Sequence, residues 1–373
     1  MKEIDGEGFL DYFGDLEDPR LDRKKLHSVS EILLVTLLAV ICGAEGWQDI
    51  EDFGKAKLAY LQRYLPYANG IPSDDTYRRF FRRIDPKEFR TRFFKWMQSL
   101  PLPADRIIAI DGKTSRHTFD GDEKKALHMV SAFASETRLV LAQMAVPEKT
   151  NEITAIPELL EWLDLNGAIV TIDAMGCQRE IAQKIIDKGG DYILSLKGNQ
   201  EALETDVRKL FLEESSLVGF GFKENITTDA DHGRIETRRC RVMSAPEILI
   251  KRHNWPGLES IVEMYSTREL KDRTELEKRY YITTIPVDPP KISHGIREHW
   301  GIENGLHYIL DISFRDDDSR IRKGNAPENM GIIKHTALNL LQKSIKPRES
   351  IKRLRKVAAW DENRLTEIFA KIL

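Results

Sequence analysis

The chain has 373 residues and a formal net charge of −3. That length supports a sizeable core and two or three domains, and so balanced a charge argues against a protein that coats nucleic acid through bulk positive charge. Three scattered cysteines, Cys42, Cys177 and Cys240, exclude a disulfide framework and a zinc-ligand pattern and fit a reducing compartment. The acidic N-terminus lacks a signal-peptide core, and the longest apolar run, ILLVTLLAVICGA, is too short to span a bilayer. A cytoplasmic protein with no membrane partner is expected.

Residues 1–100 predict helices. SVSEILLVTLLAVICGA opens on a Ser28-x-x-Glu31 capping pattern, and its apolar run reads as a buried helix. EDFGKAKLAYLQRYL follows. After a Pro/Gly break come SDDTYRRFFRRI and, opened by Asp85-Pro86, PKEFRTRFFKWMQSL. The aromatics Phe80, Phe81, Phe89, Phe93, Phe94 and Trp96 fall near helical spacing and read as core. Arginines cluster at 78–92, 234–241 and 315–322; each group reads more simply as a solvated face than as a binding patch.

After the linker PLPAD the pattern changes to strands. IIAID is an apolar run that Asp111 and Gly112 are expected to end. ALHMVSAFAS and RLVLAQMAV predict a hairpin around Glu136-Thr137. The helix EITAIPELLEWLDL, the strand AIVTID, the helix QREIAQKIIDKG and the strand DYILSL follow. Three meandering strands followed by βαβ crossovers imply an α/β fold, a mixed sheet flanked by helices. From 201 to 290 a charged helix precedes strand-like stretches, RIETRRCRVMS, SIVEMYSTREL and KRYYITTIP, which predict a mostly β insertion.

Two apolar strands thus each run into a carboxylate, Asp111 and Asp173. Turn capping explains one such aspartate; a shared metal ion explains two, and needs a third acid. In KISHGIREHWGIENGLHYILDISF, Ile296, Trp300, Glu303, His307 and Leu310 lie three or four apart on one helical face. Glu303 is therefore expected on a core-facing stripe, where an unpaired carboxylate is costly and a metal held by Asp111 and Asp173 would be its partner. His307 reads as a hydrogen-bonded core histidine, and Asp316, Asp317 and Asp318 as an exposed acidic loop.

IIAIDGKTSR, VTIDAMGCQREIA, DYILSLKGNQ, DHGRIETR and REHWGIENGLHYILDISFRDDDSRIRKGNAPEN resemble the ISAs1-type, H-repeat-associated transposases, relatives of the IS4-type DDE transposases, over nearly the whole chain. The resemblance implies an RNase H-like catalytic domain formed by 105–200 and 291–345. It also implies a helical N-terminal domain at 1–100 that binds DNA ends, the insertion at 201–290 and a helical tail at 346–373. It implies a triad of Asp111, Asp173 and Glu303 that holds two magnesium ions, replaceable by manganese. Such a centre cuts DNA at the ends of an insertion sequence and joins the freed ends to target DNA.

The implied partners are double-stranded DNA, as terminal inverted repeats and target, and a second copy of the chain, in a bacterial cytoplasm. Lys113, Arg116, Lys197, Asn199, His232, Arg234, Arg297, His299, Arg320 and Lys323 are candidate DNA contacts. The sequence departs from many IS4-type relatives around the glutamate. Ile296, His299 and Leu310 stand at the Tyr, Arg and Lys positions, which leaves Arg297, His299 and Asp311 as possible substitutes. A catalytically silent DNA-binding remnant and a general RNase H-like nuclease remain open.

Overall fold

The structure is a computed structural model and describes residues 9–20, 25–103, 106–119, 126–146, 152–213, 221–231, 234–270 and 272–370. Its N-terminal third is helical, as the apolar spacing predicts. Ser28 and Glu31 form the capping box. The Glu31 amide donates to Ser28 Oγ at 3.1 Å and the Ser28 amide to Glu31 Oε2 at 2.8 Å. The helix they open, Val29–Ile41, is buried along nearly its whole length, and the Phe80–Trp96 aromatics are core. The arginines of this region are mostly neutralised at home: Arg78 pairs with Asp74 and Asp75, Arg90 with Glu328 and Arg92 with Glu88.

Among the described residues nine strands form one sheet. They are β1 (Ile107–Ser115), β2 (Leu127–Ala134), β3 (Leu139–Val146), β4 (Ile169–Ile172) and β5 (Asp191–Leu196), then β6 (Lys223–Asp231), β7 (Arg234–Ser244), β8 (Ser260–Glu269) and β9 (Thr274–Thr283). The order is β3-β2-β1-β4-β5-β9-β8-β7-β6. β1 pairs antiparallel with β2 and parallel with β4, and β4 pairs parallel with β5. The mixed α/β sheet flanked by helices is the expected one. The stretch at 201–290 supplies the helix Glu201–Glu213 and four strands, and β9 pairs antiparallel with β5, so its strands continue the central sheet.

Two local expectations are corrected. Asp111 and Gly112 do not end β1, which runs on to Ser115 because β2 pairs with it that far. Gly112 serves close packing instead: a Cβ there would meet Glu152 Oε1 and His128 Nε2, which bond each other at 2.6 Å. The Glu303 stripe is also not one regular core-facing helix. The helix Pro289–His299 stops at Trp300, a five-residue π-helical turn runs Glu303–His307, and a helix resumes at Tyr308–Phe314. Trp300 is 42 % exposed and the Glu303 side chain 52 %. The break rotates both to the rim while Ile296, His307 and Leu310 stay buried.

The long helix Ala326–Ser344 packs against both Val29–Ile41 and β3, so one core cluster joins the N-terminal helices to the sheet. Among the described residues no helix is long and apolar enough to cross a membrane.

Candidate active site

Side chains alternate along a strand. On β1 this sets Asp111, Lys113 and Ser115 on one face and Gly112 and Thr114 on the other. The second face carries a chain that runs inward from exposed Thr114, whose Oγ1 bonds His128 Nδ1 at 2.7 Å, to the buried pair of His128 Nε2 and Glu152. The first face meets the segment 303–318. Lys113 Nζ lies 2.7 Å from Asp311 and 3.2 Å from Asp317, and the Ser115 hydroxyl donates to Asp316.

The parallel register matches Ile110 with Ile172. Asp111 and Asp173 are each the next residue along, so the two carboxylates leave neighbouring strands at the same level. Asp173 Oδ1 accepts from the amides of Met175 and Gly176 at 3.0 and 3.3 Å, so it caps its own turn. Asp111 caps none. Across from it, the π turn presents Glu303 and His307. His307 Nδ1 is 3.4 Å from Glu303 Oε2 and 3.6 Å from Asp111 Oδ2.

Burial raises the Asp111 carboxyl to about 6 against the pull of His307, and the negative charges of Glu303 and Asp173 push the same way as burial. The hydrogen bond from His307 holds Glu303 below its usual range. One ligand atom each from Asp111, Glu303 and His307 lies within 4.8 Å of the others. Carboxylate oxygens with one imidazole nitrogen suit a divalent cation, and a cation beside a carboxyl that burial has raised would favour its charged form. The donor set therefore fits a divalent metal.

His299, with Nδ1 3.0 Å from Thr171 Oγ1, stands between Asp173 and the rim; burial lowers its affinity for a proton, while Asp173 and Glu303 oppose this. Beside it Arg279 lies over the Trp300 ring at 4.6 Å. A groove of about 80 Å³ contains Asp173, His299, Arg279 and Trp300. Arg279 and Trp300 also line a larger one of about 360 Å³, which continues past Arg297, Arg238 and Arg268 along β7–β9. An aromatic-edged groove thus leads away from the carboxylates, and its arginines are paired, Arg279 with Glu277, Arg238 with Asp229 and Glu236, Arg268 with Glu236 and Arg297 with Asp229.

The other predicted residues are distributed unevenly. Lys197 and Asn199 are exposed just beyond β5, on the same sheet edge as Asp173, and Asn199 donates to the Ala174 carbonyl. Arg297 is rim-exposed and 3.5 Å from Asp229. Arg116 pairs with Asp317, and Arg320 and Lys323 are exposed on the loop beyond Asp318. His232 and the side chain of Arg234 lie outside the described residues.

One reading of the sequence is overturned: Asp316 is not part of an exposed loop, since it is buried and 2.6 Å from Lys334 Nζ. His307 is buried, as expected, and its polar partners are the carboxylates that its Nδ1 faces; the Glu303–His307 spacing was the available signal for that. Nothing local marks Asp316, whose partner is a lysine of the helix Ala326–Ser344.

Residues 102–340 match the transposase DDE domain family and residues 10–97 the DDE_Tnp_1-associated family. The chain is 44 % identical over 372 residues to "Putative transposase YncI" of Escherichia coli O157:H7, covering 98 % of this chain and 95 % of that one. It is 40 % identical over 371 residues to "H repeat-associated putative transposase YhhI" of Escherichia coli K12, covering 97 % of each. A solved piggyBac transposase synaptic complex with hairpin DNA aligns with a TM-score of 0.45 at 10 % identity, over 97 % of this chain and 78 % of that one, a likeness too weak to argue from. The chain belongs to the transposase DDE family. It is a DDE transposase, a DNA-binding enzyme that uses divalent metal to cut and transfer DNA strands.

Proposed function

We propose that Asp111, Asp173 and Glu303 are the catalytic carboxylates, that the metal is magnesium, replaceable by manganese, and that two ions are used. The observation that carries this is the level register of Asp111 and Asp173 on adjacent parallel strands, with Glu303 brought to Asp111 across the site. Held by these carboxylates, divalent ions would activate a water and neutralise charge on the attacking and leaving oxygens. The chain's own part is placement. Asp111, fixed in mid-strand, sets the centre. Asp173 keeps one oxygen on its turn and turns the other outward. Glu303 reaches in from the exposed rim.

The scissile phosphate would lie against this edge, and the strand would run along the channel past His299, Arg279, Trp300 and Arg297. Lys197 and Asn199 flank it from the end of β5. Contacts by Lys113 or Arg116 would require release from Asp311 and Asp317. Arg320 and Lys323, together with His232 and Arg234, would bind other phosphates. Phosphate contacts of this kind position DNA without reading sequence.

The division of labour we propose gives end recognition to residues 1–100, chemistry to 105–200 with 291–345, support for the DNA channel to 201–290, and a helical tail to 346–373. The bound ends would be terminal inverted repeats of an ISAs1-type element, held by a homodimer in the cytoplasm. In the first step water attacks phosphorus and the bond to the 3′ oxygen breaks, freeing a 3′-hydroxyl. In the second that hydroxyl attacks a target phosphorus, forming a new phosphodiester as the target's own bond from phosphorus to its 3′ oxygen breaks and leaves a 3′-hydroxyl on the target strand.

The test uses purified full-length protein and DNA carrying both flanks of its gene. With Mg²⁺, nicks at paired repeats and joined products are expected. Binding without nicking in either Mg²⁺ or Mn²⁺ would identify a silent DNA-binding protein, and sequence-indifferent cutting without joining a general nuclease.

A further inference from the structure

The carboxylates are not alone at the site. His307 sits one π turn after Glu303, is only 7 % exposed, and turns Nδ1 toward the gap between Glu303 and Asp111. Donors bound to one octahedral ion stand roughly 3 Å apart; the two separations here, 3.4 and 3.6 Å, are close to that. Asp173 is not in this three-residue group, because its carboxylate is drawn to its own turn.

We propose that His307 Nδ1 is a metal ligand, so that one of the ions is held by Asp111, Glu303 and a nitrogen, and Asp173 serves the other. This rests on the reading of Asp111 and Glu303 given above. The helical irregularity supports it: π turns gather at functional positions, and this one sets Glu303 and His307 on the same side of the helix while the Tyr308 amide still bonds the Glu303 carbonyl.

The far side of the ring agrees. To ligate, Nδ1 gives up the proton it turns toward Glu303, and the remaining ring proton sits on Nε2, which usually finds an acceptor. No described protein group bonds His307 Nε2. His307, His335, Ser131 and Lys334, with Leu127, Met129 and Leu310, line a small, partly open cavity of about 20 Å³, room for a single water. His335 Nδ1, also without a described partner, is available there as an acceptor. Burial keeps His335 neutral, pushing it down to about 3 although the Asp316 charge opposes this.

A nitrogen ligand shifts preference. Imidazole favours transition ions over magnesium, and affinity rises from manganese along the series. Mn²⁺ should therefore bind full-length protein at least tenfold more tightly than Mg²⁺ in competition.

The direct readout is pulsed electron paramagnetic resonance of Mn²⁺ added to the wild-type protein without DNA. A nitrogen hyperfine coupling is expected; it should vanish in His307→Gln and persist in His299→Gln. His307→Gln should also weaken Mn²⁺ binding about tenfold or more while its melting temperature shows that it is folded. If Mn²⁺ binding depends on Asp111 but the wild-type spectrum carries no nitrogen coupling, the ligand assignment is overturned and the carboxylate site stands. If the coupling disappears in His299→Gln instead, the assignment is likewise overturned. If Asp111→Asn leaves Mn²⁺ binding unchanged, the carboxylate reading falls and this inference falls with it.

Discussion

At the scale of single residues, the site is held up by charges that sequence spacing could not pair. Asp316 is buried with Lys334 and Ser115. Burial works against its charge, but the Lys334 ammonium outweighs it and holds the carboxyl down at about 2. Asp316→Ala strands a buried lysine and should cost about 3–5 kcal/mol, read as a large fall in melting temperature; Asp316→Ala with Lys334→Met should recover part of it. Because the folded value lies below the ordinary aspartate value of about 4, the stabilisation is complete above that value and is lost as pH falls toward 2. A wild-type acid-unfolding curve should therefore be steeper over this interval than that of the double variant. Gly112 is the second such residue. Gly112→Ala drives a methyl into the His128–Glu152 pair and should destabilise by about 1–3 kcal/mol in denaturant titration. Asp111 and Asp173 stood out in the sequence because each follows an apolar run, and Glu303 because it falls on a helical three-and-four stripe. The setting of Glu303 was not, since an exposed rim and a core stripe share the same three-and-four spacing until the helix breaks.

At the scale of elements, legibility followed hydrophobic pattern. The capping box, the Val29–Ile41 helix, β2, β3, β4 and β5 were readable because their apolar residues carry clear periods or runs. β6 was not: KENITTDAD has no apolar alternation, and it forms the sheet edge, where Ile226 stays 47 % exposed. β1 was read too short because a glycine inside a strand looks like a turn until the packing that requires it is seen. The π turn was invisible as well, since the apolar spacing of Ile302, Leu306 and Leu310 on either side of it still reads as a helix. Gly305 lets this turn approach the sheet: a Cβ there would lie 2.7 Å from Phe133 Cζ. Helix propensity alone favours alanine over glycine by about 1 kcal/mol. Gly305→Ala should nevertheless lift the turn from β2 and weaken Mn²⁺ binding, with little change in circular dichroism. Unaltered Mn²⁺ affinity would show that the close approach does not position the site.

At the scale of the whole molecule, the sheet is continuous from β3 to β6 and the core is shared between the N-terminal helices and the helix Ala326–Ser344. Composition shifts at 101–105 and 286–290 suggested separable parts; they do not reveal that Val29–Ile41 covers a face of a helix some three hundred residues later. Calorimetry of the full chain should give one cooperative transition, and a chain begun at residue 101 should be insoluble or molten; two independent transitions would contradict this.

The account rests on the three acids acting together, and cleavage of repeat-bearing DNA by Asp111→Asn, Asp173→Asn and Glu303→Gln beside the wild type tests this most directly. Each single variant should lose cleavage by a thousandfold or more while retaining DNA binding; any one that cuts at the wild-type rate contradicts the triad.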